Sequence, residues 1–303
     1  MTSCWKNYHS PGSVEEAVAL LQHYDGRARV IGGGTDLLVE MRRGLHRPVE
    51  AMVDASRIDG LGGITPDDDA IVIGCGVTHT QIVNDARIIK YGTCLAESCG
   101  VIGGPQVRNV GTLAGNVAHA LPAGDGTIGL LALGGEIEVA DANDTRWMPV
   151  KDAFLGPGKS AIDRHRAILT RLRFRPTGIR EGSAYHRVMR PQGLCLPIIS
   201  MAVRLQLDAD DTIAAASISM GPVGPVPYLA EPAMAALVGA PASIEQFKKA
   251  TEVALGSVTL RASKFRATHE YRAAMIRTYL PVILDRAAKR AATGHAAPEG
   301  VAQ

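Results

Sequence analysis

Two glycine-rich stretches carry the most chemistry in this sequence: Ile31-Gly32-Gly33-Gly34-Thr35-Asp36-Leu37 and Gly111-Thr112-Leu113-Ala114-Gly115-Asn116. Each offers small residues, a run of unobstructed backbone N–H groups, and a hydroxyl or amide beside them. Such a set can hold a pyrophosphate without a cationic side chain, because successive amides and a helix N-terminus supply partial positive charge. Taken singly, each also reads as a turn that needs φ > 0. With 33 glycines in 303 residues, or about 11% against a usual value of roughly 7%, close backbone approach is a theme of the whole chain.

Other candidate motifs fall short. Gly74-Cys75-Gly76 is followed by Val77, Thr78 and His79, so the third glycine of a dinucleotide fingerprint is missing. Gly158-Lys159-Ser160 resembles the end of a phosphate loop, but the leading glycine would fall at Ala153, and a turn before a strand is the better reading. Five scattered cysteines (Cys4, Cys75, Cys94, Cys99, Cys195) form no metal-ligand pattern and read as buried thiols of a reduced, cytoplasmic protein. His9, His79, His119 and His165 read as structural, although His119 sits inside the second glycine-rich stretch, taken over 102–125. A net charge of +2 gives no support to nucleic-acid binding. No apolar run approaches the ~20 residues of a membrane span, and Met1–Asn7 lacks the apolar core of a signal peptide.

The elements that must position these residues can be read from spacing. Ser13 caps a helix running to about His23, with Glu16 completing a capping box. Arg29–Ile31 is a strand that enters the first glycine turn, and Leu37, Leu38 and Met41 resume a helical period that stops at Gly44. Val49–Val53 and Ile71–Gly74 read as strands, with a loop over 60–69 between them. Thr78 caps a further helix, and Thr93–Ser98 forms another. The stretch 100–125 reads as a long loop, a length that is usually functional inside a compact domain. A short helix over Ile128–Leu133 follows, then strands over Glu136–Ala140 and Ala167–Phe174. Between Lys159 and Arg190 nine basic residues meet two acids, Asp163 and Glu181. That run is either a solvated surface or a face for an acidic partner or a phosphate-bearing acceptor. Ile198–Leu207 and Thr212–Met220 predict a hairpin, and helices fill Pro232–Leu237, Ser243–Leu255 and His269–Ala291.

In their order and spacing the two stretches resemble those of the medium, FAD-binding subunit of the molybdenum hydroxylases, the family of carbon monoxide dehydrogenase and xanthine dehydrogenase. The segments that carry the resemblance are IGGGTDLL (31–38), IGGPQVRNVGTLAGNVAHALPAGD (102–125), FLGPGKS with ILTRLRF (154–174) and ATHEYRAAM (267–275). The resemblance implies an α+β protein: a vanillyl-alcohol-oxidase-type (PCMH-type) FAD-binding domain over 1–177, in two α/β subdomains of about 1–56 and 57–177. A C-terminal domain over 178–303 would follow, with a three-stranded antiparallel sheet and helices. By the same resemblance Val30, Ile31, Gly32, Gly33, Gly34, Thr35, Asp36 and Leu37, with Gly111, Thr112, Ala114, Gly115 and Asn116, would wrap the FAD pyrophosphate and ribityl chain. Ile102 would lie near the isoalloxazine, Asp125 would belong to the FAD site, and Leu169 would make an apolar contact. Arg187 stands where the family often has a flavin-side lysine. Ala114 replaces the second glycine of the usual pair, and Cys195 falls where an aspartate aligns.

The function implied is that of a FAD-binding electron-transfer subunit with no catalytic acid, base or nucleophile and no metal of its own. A small iron–sulfur subunit with two [2Fe–2S] clusters would deliver electrons from a large molybdopterin-cofactor subunit, in a dimer of heterotrimers. An external acceptor (NAD⁺, O₂, a quinone or another carrier) would receive them. A stand-alone FAD-dependent oxidoreductase of the same fold is the alternative, and a scaffold that has lost FAD a more distant one.

Overall fold

The computed structural model describes residues 4–190, 196–264 and 266–298. The chain first builds a three-stranded parallel sheet in the order Asn7–His9, Ala51–Asp54, Ala28–Ile31. The helix Val14–Tyr24 connects the first two strands of the sequence. Its N-terminus follows the predicted logic, with Ser13 Oγ accepting from Glu16 N, but the Glu16 carboxylate accepts from Gly12 N at 2.8 Å rather than from Ser13. The apolar positions Ala17, Leu21 and Tyr24 face the core, so burial of one stripe holds the helix in place.

The second unit is a five-stranded antiparallel sheet, ordered Ile64–Asp67, Ala70–Gly74, Ile168–Phe174, Glu136–Ala140, Thr145–Pro149. The late strand Ile168–Phe174 is central, so the sheet closes only after the chain has passed through the helices between Ala70–Gly74 and Glu136–Ala140. Helices Thr93–Gly100 and Asp125–Ala132 are buried nearly all round and pack against each other. One continuous apolar core joins both sheets, from Ala17 and Leu21 through Ile73, Leu95, Ile128 and Phe174.

The last unit has three long antiparallel strands, Glu181–Met189, Pro197–Leu207 and Ile213–Gly221, with the two-residue strand Tyr228–Leu229 at one edge. Helices Glu231–Leu237, Ile244–Gly256 and His269–Thr293 cover it around a separate core. The 25-residue helix lies so close to the first strand that a Cβ on Gly182 would stand 2.2 Å from the Ala287 carbonyl.

Three features depart from the sequence reading. The stretch 100–125 is not a plain loop: it holds the short helices Pro105–Arg108 and Leu113–Ala118. The region 60–69 contains Ile64–Asp67, folded back as a hairpin through Asp68 at φ 46°. Glu181–Met189 and Thr145–Pro149 are strands that no alternation signal announces, because one is buried on both faces and the other is largely exposed.

Candidate functional site

The two glycine stretches form one structure. A Cβ built on Gly33 would fall 1.8 Å from the Val110 carbonyl oxygen and 2.8 Å from Gly111 Cα, so only glycine lets the turns meet. Gly32 approaches the Thr112 hydroxyl, and Gly111 approaches Thr35 Oγ1. Gly34 sits at φ 68° and turns the chain from the strand Ala28–Ile31 into the helix Leu37–Arg42. The N–H groups of Gly32 through Asp36 donate to no acceptor among the described residues. On the other side Thr112 caps the helix Leu113–Ala118, its Oγ1 accepting from Gly115 N at 3.0 Å. Beyond the two turns, Glu40 ties the outgoing helices together: Oε2 lies 2.8 Å from His46 Nε2 and Oε1 3.3 Å from His119 Nε2.

A second, buried polar group lies beyond the second turn. Asn116 Oδ1 accepts from the Thr127 N–H at 3.1 Å and hydroxyl at 2.9 Å, closing the N-terminus of the helix Asp125–Ala132 that Gly124 cannot cap. Asp125, in the first turn of that helix, accepts from the Tyr185 hydroxyl at 2.5 Å, Ser200 Oγ at 2.6 Å and Arg187 Nη1 at 2.9 Å. The ion pair is almost fully enclosed, with each side chain 6% exposed. Burial pushes the Asp125 carboxyl upward, and the Arg187 charge opposes that shift. Burial, then the Asp125 charge, holds the Tyr185 phenol well above its ordinary value, so it stays a neutral donor. The register Arg187↔Ser200 across the strands explains the assembly, since Tyr185 and Arg187 share one face of Glu181–Met189.

The residues present fit a dinucleotide. Besides the free amides, Arg187 Nε and His79 Nδ1 are buried with no hydrogen-bond partner among the described residues, and the His79 ring edge is 3.3 Å from a Cβ placed on Gly111. Burial, with a smaller push from Arg108, lowers the His79 pKa to about 4, so it adds no charge there. Two residues before the first turn, Arg29 is buried beside Arg164, and burial and that neighbour lower its pKa to about 10. The cradle therefore has cations nearby that the glycine pattern does not announce.

The remaining sequence candidates are dispersed. Val30 is half-buried on the strand, Ile31 and Leu37 pack with Met41 and Met52 in a small core, and Asp36 is exposed. Ile102 is half-buried after the helix Thr93–Gly100, its carbonyl accepting from Arg108 Nη1 at 3.1 Å. Leu169 is a core residue at an irregularity of the central strand, and Ala114 is buried. Cys195 lies outside the described residues. Most arginines of the 159–190 run are neutralised: Arg171 by Glu138, Arg173 by Glu136, Arg175 by Glu181, Arg180 by Asp211 and Arg187 by Asp125. Pro157-Gly158 turns between the short strand Phe154–Gly156 and the strand formed by Lys159–Ser160. Tyr185 and Ser200 escaped the sequence reading; the Tyr185-x-Arg187 spacing was the available signal.

Comparison with known proteins places this geometry. The family model for the FAD binding domain in molybdopterin dehydrogenase matches residues 3–175, and that for the CO dehydrogenase flavoprotein C-terminal domain matches 183–287. The carbon monoxide dehydrogenase medium chain of Afipia carboxidovorans is 31% identical over 287 residues, covering 94% of this chain and 97% of its own. The xanthine dehydrogenase FAD-binding subunit of Escherichia coli O157:H7 is 26% identical, covering 93% and 95%. A solved carbon monoxide dehydrogenase from Hydrogenophaga pseudoflava superposes with a TM-score of 0.88 at 28% identity, covering 96% of this chain and 99% of that one. With an FAD-binding domain spanning more than half its length, the chain belongs to the FAD-binding medium subunits of the molybdenum hydroxylases, and so to the oxidoreductases.

Proposed function

We propose that this chain is the electron-transfer subunit of a cytoplasmic molybdenum hydroxylase, receiving electrons from [2Fe–2S] clusters on a small partner subunit. A large partner subunit with a molybdopterin cofactor would oxidise the organic substrate, in a dimer of heterotrimers, and an external acceptor would take the electrons from FAD. Bound FAD supplies the redox chemistry, and the protein contributes position and electrostatics. The observation that carries the reading is the joining of Gly32–Thr35 and Gly111–Gly115 into one cradle with free amides.

Within this reading the FAD-binding unit is 1–177, in subdomains of about 1–56 and 57–177, and the C-terminal unit is 178–303. The free N–H groups of Gly32–Asp36 take the pyrophosphate oxygens, with Thr112, Gly115 and Asn116 on the opposite wall. Asp125, locked by Tyr185 and Ser200, holds the Arg187 guanidinium in place, and the free Arg187 Nε offers a cation toward charge that develops on the cofactor. Val30, Ile31 and Leu37 back the first turn, while Ile102, Ala114 and Leu169 supply apolar walls.

Affinity purification of the tagged chain from its own cells tests the assembly. Iron, molybdenum and two further polypeptides should co-purify, and the flavin absorbance should bleach anaerobically with the substrate of the complex. A chain that purifies alone, holds FAD and turns over an organic substrate unaided would instead be a stand-alone oxidoreductase.

A further inference from the structure

Among the described residues the largest fully buried side chain is an arginine. Arg272 lies in the first turns of the helix His269–Thr293, whose start is fixed by Thr268 Oγ1 accepting from Tyr271 N at 3.2 Å. Its Nη1 donates to the Pro222 carbonyl at 3.0 Å and to the Ile198 carbonyl. Those two bonds lock the guanidinium between the entry of the strand Pro197–Leu207 and the exit of Ile213–Gly221. Nε and Nη2, by contrast, are buried without a hydrogen-bond partner among the described residues. They are the adjacent N–H groups on one edge of the plane, the fork that grips two oxygens of an oxyanion.

Among the described residues no acid's charge acts on that edge. The charges acting on Arg272 are those of Arg261 and Arg266, and both repel it. Arg261 is anchored there by its backbone N–H on the Val223 carbonyl at 2.8 Å, one residue beyond Pro222. Arg266 is anchored by Arg190, whose Nη2 donates to its carbonyl at 3.1 Å. The acids on either side of it in the sequence are engaged elsewhere, Glu270 with His269, Asp285 with Lys289 and Glu252 with Arg277. Burying a charge without a partner is strongly unfavourable. Three mutually repelling cations add to that cost.

We propose that Arg272, with Arg261 and Arg266, forms an oxyanion site in the C-terminal unit, and that its ligand is a phosphate-class anion held by the Nε–Nη2 edge. Three cations that repel one another favour a doubly charged phosphate over a monovalent carboxylate or chloride. The arginine is then not a failed core residue. Arg272 itself is enclosed, whereas Arg261 is exposed and Arg266 half-buried.

Inorganic phosphate is the probe. The purified full chain is titrated with it by calorimetry and thermal melting at constant ionic strength, with chloride as the reference salt. Phosphate should raise the melting temperature in a concentration-dependent way and bind with measurable heat, and chloride should do neither. The Arg261→Ala/Arg266→Ala double variant should bind phosphate at least about tenfold more weakly while its flavin content stays unchanged. Arg272→Met should lose the response altogether; where it does not fold, the double variant decides. Equal responses to phosphate and chloride, or full phosphate affinity in the double variant, would overturn the proposal. Because flavin content is read separately, failure here and failure of the FAD reading are distinguishable.

Discussion

Gly33 is where a single atom decides most. Any Cβ there collides with the Val110 carbonyl, and the obstacle is backbone rather than a movable side chain. Gly33→Ala should therefore spread the two turns, cost roughly 2–3 kcal/mol of stability and abolish FAD retention, read as flavin absorbance after desalting. An alanine variant that keeps its flavin would show that the turns do not need to touch. Asp125 is the second decisive residue. Asp125→Ala leaves Arg187 buried and unpaired, for a loss of about 3–5 kcal/mol in denaturant unfolding, whereas Tyr185→Phe removes one donor of three and should cost about 1–2 kcal/mol. Near-equal losses would mean that Asp125 is not the centre of that network. His79 gives a pH signature. Its folded pKa of about 4 lies below the ordinary 6.5, so the unfolded chain takes up the proton first. Its contribution is complete above pH 6.5 and is lost as pH falls toward 4, by roughly 3 kcal/mol. His79→Gln should flatten that part of the stability–pH curve, and an unchanged curve would contradict the assignment.

At the scale of elements, legibility followed periodicity and end signals. The helices over Val14–Tyr24 and His269–Thr293 were readable because caps and apolar stripes agree. The strand–turn–helix around Gly34 was readable because glycine adopts its left-handed φ at no steric cost. What failed was the middle of the site. Leu113–Ala118 is only six residues and full of small side chains, so neither propensity nor amphipathic spacing marks it. Its one signal is Thr112, whose hydroxyl caps Gly115 N across three residues. Thr112→Ala should cost about 1 kcal/mol in helix capping and weaken FAD up to about tenfold, with Thr112→Ser restoring both in a flavin titration. No loss in the alanine variant would make the cap incidental. The Tyr185–Ser200–Asp125 network was invisible for a different reason: it depends on the register between two strands, which a single sequence does not state.

At the scale of the molecule, the FAD-binding unit and the C-terminal unit are joined through buried polar contacts. Glu97, on a helix of the first, accepts from the Tyr185 N–H at 2.8 Å and from Arg290 Nη2 at 2.6 Å, both on the second. Ser183 Oγ accepts from Cys94 N at 3.1 Å, and Gly221 lies against the Pro122 carbonyl. The Asp125–Arg187 pair crosses the same boundary, so half of the candidate site is delivered by the second unit. This also answers the basic run of 159–190, where charges that look exposed in sequence are mostly met by acids brought in from other strands.

The most direct measurement is the ligand itself. The purified chain, or the complex containing it, is denatured, and the supernatant is assayed for flavin by absorbance and chromatography. The account predicts FAD, equimolar with the chain and absent from the Gly33→Ala variant. A colourless protein that cannot be reconstituted with FAD would contradict it.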